Sequence, residues 1–127
     1  MISMREAYEK IGANYDDACA RLMGEEMLAR FALKFLDDES MDKLEAAMAA
    51  GDAEGAFMAA HTLKGVSQNL GFDNLYEPAV VVTEALRGAD AVDGAREGMH
   101  ALQQQYAATM SALREVAEAI EGQKPLF

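Results

Sequence analysis

The sequence predicts an all-α protein, an antiparallel up-down-up-down four-helix bundle with short extra helices at its N-terminus, and three observations carry that expectation. Its composition leans towards Ala, Leu, Met and Glu, with only two prolines and no tryptophan, and straight-chain residues lose little rotamer freedom in helices. Apolar residues recur at three- and four-residue spacing between points marked by Gly, Asp and Asn, the pattern of amphipathic helices. The turns between these stretches are short, which leaves room only for antiparallel neighbours. At 127 residues and 51% hydrophobic, the chain has the size and apolar content for one domain with a single core. Within it, capping helices are expected over 1–23, the bundle over 24–121 and a tail over 122–127.

The first stretch places Met4, Ala7, Tyr8 and Ile11, then Tyr15, Ala18, Cys19 and Leu22, on one or two short helices broken near Gly12-Ala13-Asn14. They are expected to cover one end of the bundle. From Glu25 to Ala50 the stripe Leu28, Phe31, Phe35, Met41, Leu44 and Met48 predicts a long helix that Asp37-Asp38-Glu39-Ser40 can bend or split and that Gly51 ends. Asp52 is placed to cap a third helix, with Ala56, Ala59, Ala60, Leu63, Val66 and Leu70 inward and Gly71 as its stop. Asp73 is placed to cap a fourth helix through Leu75, Ala79, Val82 and Leu86, and Pro78 near its start should kink it or delay its onset. After a turn from Gly88 to Asp93, the run Val92, Ala95, Met99, Leu102, Tyr106, Met110, Leu113, Val116 and Ile120 predicts a long final helix.

Charge and cysteine content exclude several function classes. A formal net charge of -11, with Lys and Arg scattered rather than gathered, would repel a phosphate backbone, so nucleic acid is not an expected partner. Cys19 stands alone and forms no internal disulfide. The opening residues lack the apolar core of a secretory signal, and charges interrupt every apolar stretch before it reaches bilayer length. A soluble cytoplasmic protein that does not engage membranes is expected.

The third helix carries the residues of interest. A turn of about 100° per residue brings Phe57, Met58, Lys64, Gly65 and Gln68 to within roughly 60° of His61, opposite Leu63 and Leu70, so His61 is expected to face water. A lone histidine on a polar face is ordinary surface, but these neighbours change its meaning. A neutral imidazole is a competent nucleophile near pH 7, and exposure lets a phosphoryl group reach it. Lys64, one turn on, is placed to offset the charge of phosphoryl oxygens. Gly65 is the most telling neighbour, because a glycine inside a helix costs about 1 kcal/mol relative to alanine. Either close helix packing or clearance for an approaching group explains it, and its position on the His61 side favours clearance. Phe57 and Met58 on the same face suit a docking surface or fold back onto a neighbouring helix.

The run Ala60-His61-Thr62-Leu63-Lys64-Gly65-Val66-Ser67-Gln68-Asn69-Leu70-Gly71 resembles the signature of histidine-containing phosphotransfer (HPt) domains, the relay modules of multistep two-component signalling. Gly51-Asp52 before it and Leu75 after it also fit, so the resemblance covers roughly Glu25 to Gly88. It implies a four-helix bundle in which His61 takes a phosphoryl group from one receiver-domain aspartate and gives it to another. Lys64 and Gly65 would compensate charge and provide steric clearance. The chain would be a carrier and substrate rather than an enzyme, with no cofactor or metal of its own, because the receiver contributes the acidic pocket and the Mg²⁺. Response-regulator receivers, a hybrid sensor histidine kinase or both would be its partners, with Phe57, Met58 and Gln68 at the contact, and a monomer is the family-like state. Some family members place a glutamine on the following helix to hydrogen-bond the imidazole. The corresponding position here is Thr83, which reaches less far, leaving Thr83, Glu84, Gln68 or no side chain at all to orient the ring.

Two other functions are weaker. A docking or sequestering protein of the same fold would bind a receiver or kinase without carrying phosphate, but it would have no need of the His-Lys-Gly set. A metal-binding bundle lacks ligands: His100 lies on another helix, Cys19 is the sole cysteine, and the Glu97-x-x-His100 spacing has no second copy. Met27, Met41, Met48, Met99 and Met110 lie on or beside apolar stripes and are expected in the core. A kinase is excluded because the chain holds no nucleotide-binding domain or phosphate-binding glycine loop.

Overall fold

The computed structural model, which describes residues 2–123, is helical over most of the stretches whose apolar spacing predicts a helix, although the final helix begins at Arg96 and not at Val92. Its helices are α1 (Met4–Ile11), α2 (Tyr15–Leu22), α3 (Glu25–Lys34), α4 (Ser40–Ala50), α5 (Ala53–Asn69), α6 (Asp73–Leu86) and α7 (Arg96–Gln123), with short 3₁₀ turns at Phe35–Asp37 and Asp93–Ala95. No strand occurs among the described residues. An all-α helical bundle is therefore what the chain forms.

The stripe from Glu25 to Ala50 is two helices rather than one. The 3₁₀ turn after Lys34 runs into Asp38, whose backbone is extended, and the Asp38 carboxylate accepts the Ser40 N–H at 2.9 Å to begin α4. The break lets α3 lean on α2 and α7 while α4 packs along α5. It also leaves Phe31, expected inward, 39% exposed. Gly51 ends α4, and the Asp52 side chain accepts the Gly55 N–H at 2.9 Å, capping α5.

Two details of α6 differ from expectation. Asp73 is its first residue and not its cap; Phe72 holds that position and makes no side-chain capping bond. Phe72 is fully buried against the rings of Tyr8 and Phe35, at 5.3 and 5.4 Å between centroids, so ring packing fixes the turn where a polar cap was expected. Pro78 lies inside α6 without delaying its onset.

Side-chain pairs give the direction of α7. Asn74, at the start of α6, donates to Gln105 and Thr109 at 3.1 and 2.9 Å, whereas Val82, later in α6, lies against Gly98. The two helices therefore run antiparallel. The later part of α7 turns to α1, with Lys10 paired to Glu115 at 3.1 Å and Ala7 packed with Ala112 and Val116. Gly122 and Gln123 still belong to α7, so the helix passes the expected boundary at 121, and residues 124–127 of the expected tail lie outside the described residues.

The core joins the N-terminal helices to the bundle. Tyr15, Tyr8, Phe72, Phe35 and Tyr106 form a chain of ring contacts between 5.3 and 6.1 Å. The buried Tyr8 hydroxyl donates to the Leu70 carbonyl at 2.6 Å, and the Asn14 N–H donates to the Gly71 carbonyl at 2.7 Å. Thus α1 and α2 are fastened to the turn that ends α5. Met41, Met48, Met99 and Met110 are buried as expected, while Met27 is half-buried.

Candidate functional site

Local sequence explains why α5 is a well-terminated platform. Asp52 satisfies an N-terminal amide, and after Leu70 the chain closes with Phe72 N–H donating to the Ser67 carbonyl and Gly71 N–H to that of Gln68, a paired C-terminal cap that needs the left-handed backbone of Gly71 (φ 68). Its buried face is mostly small, with Ala56, Ala59, Ala60 and Ser67 beside Leu63, so α4 and α6 approach closely on either side. Val66, expected inward, is only half-buried.

On the opposite face His61 is exposed, as the helical rotation predicts. Lys64 and Gly65 follow it, both half-buried, and Met58 and Gln68 are exposed. A Cβ built on Gly65 would meet nothing within 4 Å. Close helix packing therefore does not account for this glycine, whereas it does account for Gly98, whose Cβ would come within 3.2 Å of Val82. Nothing in the spacing of the sequence distinguishes the two.

Phe57 sits differently from an open docking residue. Its ring is stacked on the His61 imidazole, 6.0 Å between centroids at 16° between planes. The guanidinium of Arg87, at the end of α6, lies over the same ring, 5.1 Å from its centroid. Arg87 is in turn held by two hydrogen bonds to Glu84, at 3.1 and 3.0 Å. Those bonds hold the Glu84 carboxyl below the usual carboxylate range, and the charge of Lys64 adds to the effect. Arg87 was not singled out by its sequence position; only the packing of α6 beside α5 brings it here.

The orienting residues expected for the ring are otherwise engaged. Thr83 is fully buried, and its hydroxyl donates to the Ala79 carbonyl at 2.7 Å, which takes it away from the imidazole. Glu84 is committed to Arg87. Among the described residues no hydrogen bond to the His61 ring is present, Gln68 included. A hollow of about 520 Å³ lies elsewhere, lined by Arg21, Phe31, Lys34, Asp38, Val66 and Asn69 among others. His100 borders a separate hollow with Glu45 and Met99, and no three His, Cys, Asp or Glu side chains among the described residues gather as metal ligands.

The helical bundle thus presents a histidine at the middle of an exposed helix face, with a lysine and an unobstructed glycine one turn on. The family model of the Hpt domain matches residues 26–123, and the chain belongs to that family. Its role is phosphotransfer in two-component signalling, and membership implies interaction with the receiver domains or kinases of such systems. Hpt domains are phosphocarrier modules rather than catalysts. The match leaves out residues 1–25, and with them α1 and α2. Comparison with curated proteins and with solved structures found no match. Among the described residues no helix is long and apolar enough to cross a membrane.

Proposed function

We propose that this chain is a phosphocarrier that relays a phosphoryl group between receiver-domain aspartates through His61. The observation that carries this reading is the exposed imidazole of His61 beside Lys64 and a Gly65 that no intramolecular contact requires. An unprotonated ring nitrogen attacks the phosphorus of an aspartyl phosphate, the N–P bond forms as the acyl P–O bond breaks, and the aspartate leaves as carboxylate. The ammonium of Lys64 lies on the face where phosphoryl charge accumulates and offsets it, while the absence of a side chain at Gly65 leaves space for the partner's loop. Met58 and Gln68 form the exposed margin of that contact.

The return step is the same displacement in reverse, so the chain stores the group and its partner supplies the catalytic pocket. The Mg²⁺ that neutralises the transferring phosphoryl belongs to the receiver in this scheme, and the chain needs no cofactor of its own. It acts as a cytoplasmic monomer with response-regulator receivers, a hybrid sensor kinase or both.

The deciding experiment mixes phosphorylated receiver domains of the source organism with the purified protein and its His61→Ala variant. The expected result is a rapid, acid-labile label on the wild type, complete loss of label in the variant, and unchanged helical content by circular dichroism. Label retained by His61→Ala would overturn the assignment. A folded wild-type protein that binds receivers and never becomes labelled would instead identify a docking protein.

A further inference from the structure

We infer that Phe57 is the positioning residue of the His61 imidazole, fixing the plane of the ring by stacking while Arg87 holds Phe57 in place, so that the ring is oriented without a hydrogen bond. This rests on His61 being the phosphoacceptor.

An exposed histidine turns about two side-chain bonds, and an in-line displacement needs its nitrogen lone pair aimed at phosphorus. Orientation by a hydrogen bond is not what this site provides: the Thr83 hydroxyl is spent on Ala79, Glu84 is spent on Arg87, and among the described residues no polar group bonds the ring. What lies beside the imidazole is the ring of Phe57, one helical turn earlier, 6.0 Å between centroids and nearly parallel at 16°. Stacking restrains rotation of the ring out of that plane and leaves both nitrogens free, one to attack and the other to carry the proton.

Phe57 itself requires support, being only half-buried. Arg87 supplies it from the neighbouring helix, its guanidinium over the Phe57 ring at 5.1 Å and its two-bond fork to Glu84 limiting its own motion. The order of support is thus Glu84 to Arg87 to Phe57 to His61, linking the last turns of α6 to the reactive residue of α5. A ring fixed in plane but not by a polar partner differs from one whose nitrogen is held by a glutamine, because the protein does not choose which nitrogen bears the proton.

The test has one arm that needs no partner. In the wild-type protein, nuclear Overhauser contacts should join the ring protons of Phe57 and His61, and carbon relaxation should show a restrained imidazole. Phe57→Leu should raise the mobility of the His61 ring, Arg87→Ala should raise it less, and Phe57→Tyr should restore it. Absence of the ring–ring contacts, or an imidazole equally restrained in Phe57→Leu, would overturn the inference whether or not the protein carries phosphate.

The second arm uses a phosphorylated receiver domain that labels the wild type, in single turnovers over a range of receiver concentrations. Phe57→Leu should lower the maximal transfer rate by about three- to tenfold, the scale of an aromatic pair, with the half-saturating concentration unchanged, and Phe57→Tyr should recover the rate. A variant that shifts only the half-saturating concentration would make Phe57 a docking contact and refute a positioning role. A wild-type protein that no receiver labels would refute the phosphocarrier reading, and the first arm would still decide the stacking.

Discussion

The turn at Gly71 that ends α5 is buried under the N-terminal helices, whereas around His61 and Gly65, in the middle of the helix, α5 faces open space. A Cβ on Gly71 would stand 2.5 Å from the Asn14 carbonyl oxygen and 2.9 Å from Ala18, on a backbone at φ 68. One on Gly65 would touch nothing, in ordinary helical backbone. The same residue type therefore answers to two different causes. Gly71 is required by the fold, through a turn that no side chain fits and that the N-terminal helices cover; among the described residues no packing contact requires Gly65.

The largest effect that would break this contrast is at the enclosed end. Gly71→Ala should destabilise the protein by about 2–4 kcal/mol, from a left-handed backbone that costs about 1–2 kcal/mol for any residue with a Cβ together with displacement of the Asn14 backbone. Urea denaturation of the purified variant measures it. A loss below about 0.5 kcal/mol, the range of ordinary surface substitutions, would mean that α1 and α2 yield easily and do not fasten the turn.

A smaller effect is expected at Tyr8, which reaches the same turn from α1. Tyr8→Phe keeps the ring contacts with Tyr15 and Phe72 but removes the donor to the Leu70 carbonyl, a loss of about 1–2 kcal/mol for a buried hydrogen bond. Its pH dependence gives a second signature. Burial raises the Tyr8 hydroxyl above its usual value of 10.0, so the folded state keeps a proton that the unfolded chain releases first. The stability this contributes is complete below about pH 10 and declines as pH rises beyond it. Alkaline destabilisation measured by denaturant titration at pH 9 to 11 should be shallower in Tyr8→Phe, and identical slopes would show that this hydroxyl is not tied to the fold.

The two regions were not equally legible in the sequence. The face of α5 follows from helical geometry alone, and Asp52 and Gly71 bound it by rules of capping that act over three or four residues. The break after Lys34 was visible only as an option, because the apolar spacing of Phe35 and Met41 continues across a backbone that leaves the helix. Phe72 in place of Asp73 at the start of α6 could not be read locally, since what holds it is the rings of Tyr8 and Phe35, distant in the chain. At the site, His61, Lys64 and Gly65 share one helix and one register, which periodicity can read. The stacking of Phe57 under Arg87 depends on how α6 lies beside α5, and no spacing in the sequence encodes that contact.

The smallest predicted effect has the opposite sign and tests the open region directly. Gly65→Ala should stabilise the protein by about 0.5–1 kcal/mol, because alanine restricts the unfolded chain, favours the helix and meets no atom within the native structure. Thermal unfolding measures the gain, and phosphotransfer from a receiver to the same variant measures its cost to function. A more stable protein that transfers more slowly would mean that the space at Gly65 is kept for a group outside this chain, and a larger residue such as Gly65→Leu should then slow transfer further at unchanged helical content. Destabilisation by Gly65→Ala would show instead that the native helix itself requires the glycine, and the contrast with Gly71 would disappear.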